Sequence, residues 1–323
     1  MLLLALACTD KPPEDTAPAS GSFRVAFVAD THIIGPQYTE PSENGELDNA
    51  SIMKTVERAE ATVAAINAIE PPVEMVFVLG DVVHDSYHSE ELGWFEDNET
   101  GFTRAQDILG KLDAPVYPIW GNHDYELDCE GGGWSREFSH QLFARLFDAE
   151  PWFAVDHGGW RFIAANSMLG PTWDPGDPRC DTGKASYGRE QLAWMAEQLD
   201  EGKPTVWMAH YMLPLITEKD EDPEGPYPDV FSVLQGRDNL AMALVGHTHR
   251  WLAQENYDFP HYVVAATRYD ADNFWVVEFN TDGSYRILDQ DKALWFTTCA
   301  DTWTYAGDPA LSADNQELGD CGY

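Results

Sequence analysis

Five short apolar runs in this chain each end in a residue that can hold a metal ion. RVAFVAD ends in Asp30, with Thr31 and His32 behind it, and EMVFVLGD ends in Gly80-Asp81. PVYPIWGNHD closes on Gly121-Asn122-His123-Asp124, PTVWMAH on His210, and LAMALVGHTH on Gly246-His247-Thr248-His249. Carboxylate, imidazole and amide donors of this kind suit Mn, Fe, Zn or Co. No C-x-x-C pair offers a thiolate alternative. With 25 Gly and 10 His in 323 residues, a G-H-x-H string is expected by chance roughly 0.02 times. One histidine after a strand is ordinarily structural; an ordered set at five successive strand ends is not.

The runs that carry these residues read as buried strands: Arg24–Ala29, Glu74–Leu79, Val116–Trp120, Phe162–Ala165, Thr205–Ala209 and Leu240–Val245. Helical spacing lies between them. Ile52, Val56, Ala59, Val63 and Ile66 form one apolar stripe, with Asn49 or Ser51 as the expected cap, and Leu192, Met195 and Leu199 form another after Gly188. Alternation of strand and helix in the first half predicts parallel pairing through βαβ units. After His249 the pattern turns to short strands, with a hairpin at Phe274–Phe279, Thr281-Asp282-Gly283 and Ser284–Leu288. The second half is therefore expected to be more antiparallel. In an open α/β sheet the carboxyl ends of strands line the ligand crevice, so all five ends are expected at one edge. Glycines before Asp81, Asn122 and His247 are expected to turn the chain and leave room for a ligand. Two irregular segments, Ile34–Asn49 and Met168–Gly188, read equally as substrate-facing loops or as surface decoration.

The ordered pattern D-x-H, G-D, G-N-H-D, H, G-H-x-H resembles that of the calcineurin-like metallophosphoesterases, and the resemblance runs from about Phe23 to Leu288. It implies an α/β fold, a four-layer α/β/β/α sandwich of two mixed sheets flanked by helices. It also implies a dinuclear centre of divalent or trivalent transition-metal ions. By the family pattern Asp30, His32 and His249 hold one metal, Asn122, His210 and His247 the other, and Asp81 bridges them. Two cations a few Å apart repel, and a shared carboxylate with a bridging hydroxide lowers that cost. That hydroxide is the implied nucleophile, and the metals neutralise charge on the phosphoryl oxygens. His123 is implied to face the substrate and protonate the leaving oxygen, with Asp124 orienting it. One departure concerns the purple acid phosphatase branch, which has D-x-G first and a Tyr three residues after the G-D aspartate. Here those positions are His32 and His84. His84 and Asp85 read as groups behind the ligands or as a surface pair.

Asp+Glu total 56 against 19 Lys+Arg, a formal charge of −37. Such a chain is a poor generic binder of nucleic acid and is repelled by anionic membranes. The expected partner is a small phosphoester. No apolar run reaches the ~18 residues of a membrane helix. The N-terminal MLLLALAC, followed by TDKPPEDTAPASGS, resembles a bacterial lipoprotein signal and tether, with Cys8 as the lipid-bearing residue. The expected organisation is a signal and tether over 1–22, a catalytic domain over 23–290 and a tail over 291–323. The expected location is the cell envelope after export, with contact to a membrane only through Cys8. Four other cysteines remain, Cys129, Cys180, Cys299 and Cys321, and allow three connectivities. A bridge between Cys299 and Cys321 would close the tail, and Cys129 would then pair with Cys180.

The sequence supports a phosphoester hydrolase, with diesters favoured because the anionic chain penalises a dianionic monoester more. A phosphomonoesterase is the alternative within the enzyme class. A non-enzymatic exported lipoprotein that binds metal or a phospho-ligand is the alternative outside it. His123 separates the classes, since a binding site needs no acid beside its metals.

Overall fold

The computed structural model describes residues 21–39, 51–84, 86–131, 133–213, 221–249, 251–254 and 257–288. The expectations for Cys8, Asn49, Asp85, Cys299, Cys321 and the 291–323 tail lie outside them. In chain order the elements are β1 (Ser22–Val28), α1 (Thr55–Asn67), β2 (Met75–Leu79), α2 (Leu92–Asp97), α3 (Gly101–Leu109), β3 (Val116–Ile119), α4 (Arg136–Phe147), β4 (Phe153–His157) and β5 (Trp160–Ala164). They continue with α5 (Arg189–Asp200), β6 (Thr205–Met208), α6 (Val230–Leu234), β7 (Leu240–Val245), β8 (Leu252–Gln254), β9 (His261–Val263), β10 (Phe274–Asn280) and β11 (Tyr285–Ile287).

Side chains alternate across a strand, and here both faces are apolar. Val25 and Phe27 of β1, Met75 and Phe77 of β2, Phe162 of β5, Met208 of β6 and Leu244 of β7 meet in one cluster between the two sheets. The opposite faces pack outward. Ala26, Val28 and Val76 pack with Ile66 of α1, while Ile163, Trp207 and Val245 join Leu192, Met195 and Leu199 of α5. Burial on both faces explains why these strands read as continuous apolar runs. The fold is thus α/β, two mixed sheets flanked by helices. Each fully buried Phe contributes about 1.5–3 kcal/mol of transfer free energy, and Phe77→Ala at the centre would cost about 3–5 kcal/mol.

The sheets are ordered β11-β10-β1-β2-β3 and β4-β5-β6-β7-β9-β8. Strands β1, β2 and β3 are parallel, as are β5, β6, β7 and β9. Antiparallel pairs are β1–β10, β10–β11, β4–β5 and β8–β9. After His249 three of the four strand pairings are antiparallel, as expected, while β5, β6 and β7 stay parallel. Helices α5 and α6 lie between successive strands, and such crossovers return the chain parallel. Antiparallel pairing is left to short connections and to β10. The hairpin expected at Thr281-Asp282-Gly283 joins β10 to β11, with Gly283 at φ 86°. Helix α1 begins at Thr55 without a side-chain cap. Ser51, one of the two expected caps, instead receives Arg268 Nε at 3.0 Å.

Candidate metal centre

The parallel strands β1, β2, β3, β6 and β7 bring their carboxyl ends to one edge. Six non-glycine residues among those described have a left-handed φ. Five are Asp30 (52°), His32 (46°), Asp81 (51°), His247 (72°) and His249 (60°); the sixth, Asp148, ends α4. Such conformations cost of order 1–3 kcal/mol each and persist where neighbours over-determine them. Here the ladder continues past the strands to hold them. Asp30 N–H donates to Gly80 C=O at 3.1 Å, His32 N–H to Asp81 C=O at 2.8 Å, and Gly246 N–H to His210 C=O at 3.0 Å.

The glycines serve a nearer purpose than the expected room for a ligand. A Cβ on Gly80 would lie 2.5 Å from His210 Nδ1, on Gly121 2.0 Å from the Asp81 nitrogen, and on Gly246 2.5 Å from Asp30 Oδ2. The space belongs to neighbouring polar side chains and, at Gly121, to the Asp81 backbone as well. Only Gly80 among the three also needs its positive φ, 89°.

All seven expected ligands converge. Asp30, His32, Asp81 and His249 place ligand atoms within 4.8 Å of one another, and so do Asp81, His210 and His247. Asp81 belongs to both groups. Asn122 Oδ1 lies 3.0 Å from His210 Nε2 and 2.9 Å from His247 Nδ1. Asp30, His32, Asp81 and His210 are buried. Backbone contacts aim several of them. His210 Nδ1 lies 2.8 Å from the Leu79 carbonyl, which fixes that nitrogen as the donor and turns Nε2 inward. Asp30 accepts the His247 N–H at 3.0 Å, and Asp81 Oδ1 accepts the His123 N–H at 2.8 Å.

Electrostatics make this an anion–imidazolium pair ringed by neutral rings. Burial opposes charge on His210, yet Asp81 and Asp30 outweigh it and raise the imidazole to about 9. Burial also opposes charge on Asp81, but His210 and His123 hold its carboxyl well below the ordinary value. Desolvation pushes His32 well down and takes His247 to about 3. Neutral imidazoles are the ligand form, and a cation in the second group would displace the His210 proton.

The role expected of Asp124 is corrected. Its Oδ1 accepts the Val83 N–H at 3.1 Å and its Oδ2 the Gly121 N–H at 2.8 Å. Among the described residues no hydrogen bond joins it to the His123 ring. Burial and the nearby Asp81 raise its carboxyl well above the ordinary value. Asp124 fixes the turn that presents Asn122 and His123. The ring beside His123 is His84, stacked at 4.6 Å with planes 30° apart. His84 is buried, and its Nδ1 lies 3.1 Å from His32 Nδ1, behind the nitrogen that faces His249. It is not a surface residue. The chain signal was its position three residues after Asp81. Tyr211 was missed altogether; its ring stacks on His247 at 4.0 Å, and its only sequence signal is adjacency to His210. Among the histidines given no role, His140 lies 2.8 Å from Tyr125 Oη and His157 2.8 Å from Glu74, both away from the cluster.

The Cys129–Cys180 bridge is present. It ties the loop after Asn122 to the Met168–Gly188 segment. That segment carries Trp173 and Thr182 into a cavity shared with Asn122 and His123, so it faces the site and is not decoration.

Stacked mixed sheets with such a donor set at one edge form a candidate metal-binding architecture. Residues 23–251 match the sequence profile of the calcineurin-like phosphoesterases, and the chain belongs to that family, whose members bind a dinuclear metal centre. A metallophosphoesterase 1 from Ailuropoda melanoleuca is 28% identical over 161 residues, 48% of this chain and 36% of its own length. The match thus spans about a third of that relative. A purple acid phosphatase from seeds of yellow lupin (Lupinus luteus) shares the fold, with a TM-score of 0.51 at 14% identity over 83% of this chain and 52% of its own. A dimetal phosphatase from Danio rerio gives a TM-score of 0.49 at 15% identity, covering 79% and 92%.

Proposed function

We propose that the chain hydrolyses small phosphoesters with two transition-metal ions, favouring diesters. The observation that carries this is the sharing of Asp81 by two groups of nitrogen and oxygen donors. Asp30, His32, Asp81 and His249 would hold one ion; Asp81, Asn122, His210 and His247 would hold the other. The donors fit: each buried imidazole is neutral or made so by a cation, and Asp81 is ionised. Bound ions would supply Lewis acidity toward the phosphoryl oxygens and would lower the pKa of a water so that it can act as nucleophile. The protein does the rest. Asp81 holds the His123 backbone, His84 supports the His123 ring, and His123 delivers a proton to the leaving oxygen. Asp124 keeps the turn in place.

Charge supports the diester preference. Two divalent ions against Asp30 and Asp81 leave the site near +2, inside a chain of −37. That field disfavours a dianion more than a monoanion, most at low salt. The test is kcat/KM for a matched aryl diester and aryl monoester across ionic strength, with Mn, Fe, Zn and Co added in turn. A monoester preference above about tenfold that persists at low salt would overturn it.

We further infer an exported protein anchored through Cys8, with 23–290 as the catalytic domain. The Cys129–Cys180 bridge supports an oxidising compartment. Loss of membrane-fraction recovery in Cys8→Ser tests the anchor; unchanged recovery would refute it.

A further inference from the structure

The imidazoles of the metal-capable cluster are not all held in the same way. A ligating histidine is ordinarily aimed by a hydrogen bond from the ring nitrogen that does not bind metal. His210 has such a bond, with its Nδ1 2.8 Å from the Leu79 carbonyl. His32 has one as well, with its Nδ1 3.1 Å from His84 Nδ1. His247 does not. Among the described residues its ring makes one hydrogen-bond contact, from Nδ1 to Asn122 Oδ1 at 2.9 Å, and Asn122 is itself an expected ligand. Asp30 holds the His247 backbone N–H, but a fixed backbone still leaves the ring two side-chain torsions.

Tyr211 supplies the missing restraint. It lies just past the end of β6 and is buried. Its ring stacks on the His247 ring, with centroids 4.0 Å apart and planes 29° apart. It meets the His210 ring edge-on, at 5.7 Å and 87°. These are the two histidines of the second donor group. Among the described residues no ring contact joins Tyr211 to His32 or His249 of the first. The Tyr211 ring is in turn fixed at both ends. Its backbone N–H donates to Ser167 Oγ at 3.4 Å, and its hydroxyl donates to the Thr182 carbonyl at 2.7 Å. Thr182 belongs to the wall of the cavity of about 410 Å³ that Asn122 and His123 also line. The Cys129–Cys180 bridge joins that wall to the loop closed by Trp134 N–H on the Glu126 carbonyl at 2.8 Å.

We propose that Tyr211 is a positioning residue for the second ion, its ring holding the His247 imidazole in the orientation that ligates. The inference rests on the two-ion reading above and assigns the rigidity of one of the two ion sites to a single side chain. A flat ring lying on another blocks rotation of the imidazole about its own axis. A ligand that is already ordered loses no rotamer freedom when the ion arrives, whereas a freely turning one does. The contact reaches the second group alone, so its loss should weaken one ion. The other keeps Asp30, His32, Asp81 and His249, none of which Tyr211 stacks on. The hydroxyl serves the wall, and the ring serves the ion.

The experiment titrates the full chain, stripped of metal, with Mn and follows the heat of binding. Wild type is expected to take up two ions. Tyr211→Leu keeps an apolar side chain but no flat face; it should bind one ion as wild type does and the other about 10–100-fold more weakly. Tyr211→Met, closer in length, gives the same reading should the leucine variant fail to fold. Tyr211→Phe keeps the ring and loses only the hydroxyl, and should hold both affinities within about threefold of wild type. A merely structural role would weaken both ions together, or would make the phenylalanine variant as weak as the leucine one. Either result overturns the proposal, as do two wild-type affinities in Tyr211→Leu or Tyr211→Met. Fewer than two ions bound by wild type would remove the two-ion reading and this inference with it.

Discussion

The metal-capable cradle and the cavity wall beside it are built by different means. The cradle sits on the ends of five parallel strands, in left-handed turns that the sheet ladder holds. Its members are mostly buried, and none can move without disturbing a strand. The wall is irregular chain from two distant segments, held by indole and backbone hydrogen bonds and one disulfide. Strand ends give the precision that metal geometry requires, whereas loops allow an adaptable surface for recognition. Chemistry and specificity should therefore be separable by mutation.

The largest effect is expected in the cradle. Asp81→Asn removes the carboxylate common to both donor groups and unpairs His210. Metal content by elemental analysis should fall, and turnover should drop by about three orders of magnitude or more. Retention of two ions would mean that Asp81 does not bridge them. In the wall, replacing Cys129 and Cys180 by serine opens a closure of 51 residues, worth about 4 kcal/mol in the chain-entropy model. Denaturant unfolding should show that loss while metal content stays at the wild-type level. Loss of metal as well would erase the separation between the two regions.

That separation also sorts what the sequence made legible. The cradle could be read residue by residue because strand ends place their residues by register alone, and Asp30, Asp81, His210 and His247 each follow an apolar run. The error fell on Asp124. Its position beside His123 suggested contact, but a tight turn sends adjacent side chains apart, and its oxygens found Val83 and Gly121 N–H groups instead. Helices α2, α3, α4 and α6 were not anticipated, although Phe102, Ala105, Ile108 and Leu109 of α3 and Leu142, Phe143 and Leu146 of α4 carry helical spacing. The wall was legible only through its cysteines. Trp134 and Trp173 are 39 positions apart, and nothing in local pattern says that they meet one cavity.

His123 stands on the boundary between the regions. Its backbone is held by Asp81, its ring by His84, and it lines the cavity. His123→Ala should retain both ions and slow turnover by ~100-fold or more, the cost of a lost positioned acid. Elemental analysis of the purified variant decides the matter, because metal loss would make His123 a ligand. A substrate with a nitrophenol leaving group needs less protonation and should be less affected than one with an alkyl alcohol.

The last effect concerns the foot of the wall. Glu221 is buried, and its carboxylate accepts the Tyr187 N–H at 2.9 Å and the Gly188 N–H at 3.0 Å, where the Met168–Gly188 segment enters α5. Burial raises its pKa to about 7; those two N–H groups pull the other way, and Asp229 and Asp222 add to the rise. The folded pKa thus stands above the unfolded value of ~4.3. Between those values the unfolded chain releases a proton that the folded chain keeps. Stability from this group is full below about pH 4, falls as pH rises toward 7, and is level above. The loss should be of order 4 kcal/mol. Glu221→Gln cannot titrate, so the difference between wild-type and variant unfolding free energies, followed from pH 4 to 8, isolates the slope. Parallel curves would show that the carboxylate is ionised throughout, held by its two N–H donors. A downward wild-type slope, with the His210 region unchanged by metal analysis, would mark the wall as the pH-sensitive part of the molecule.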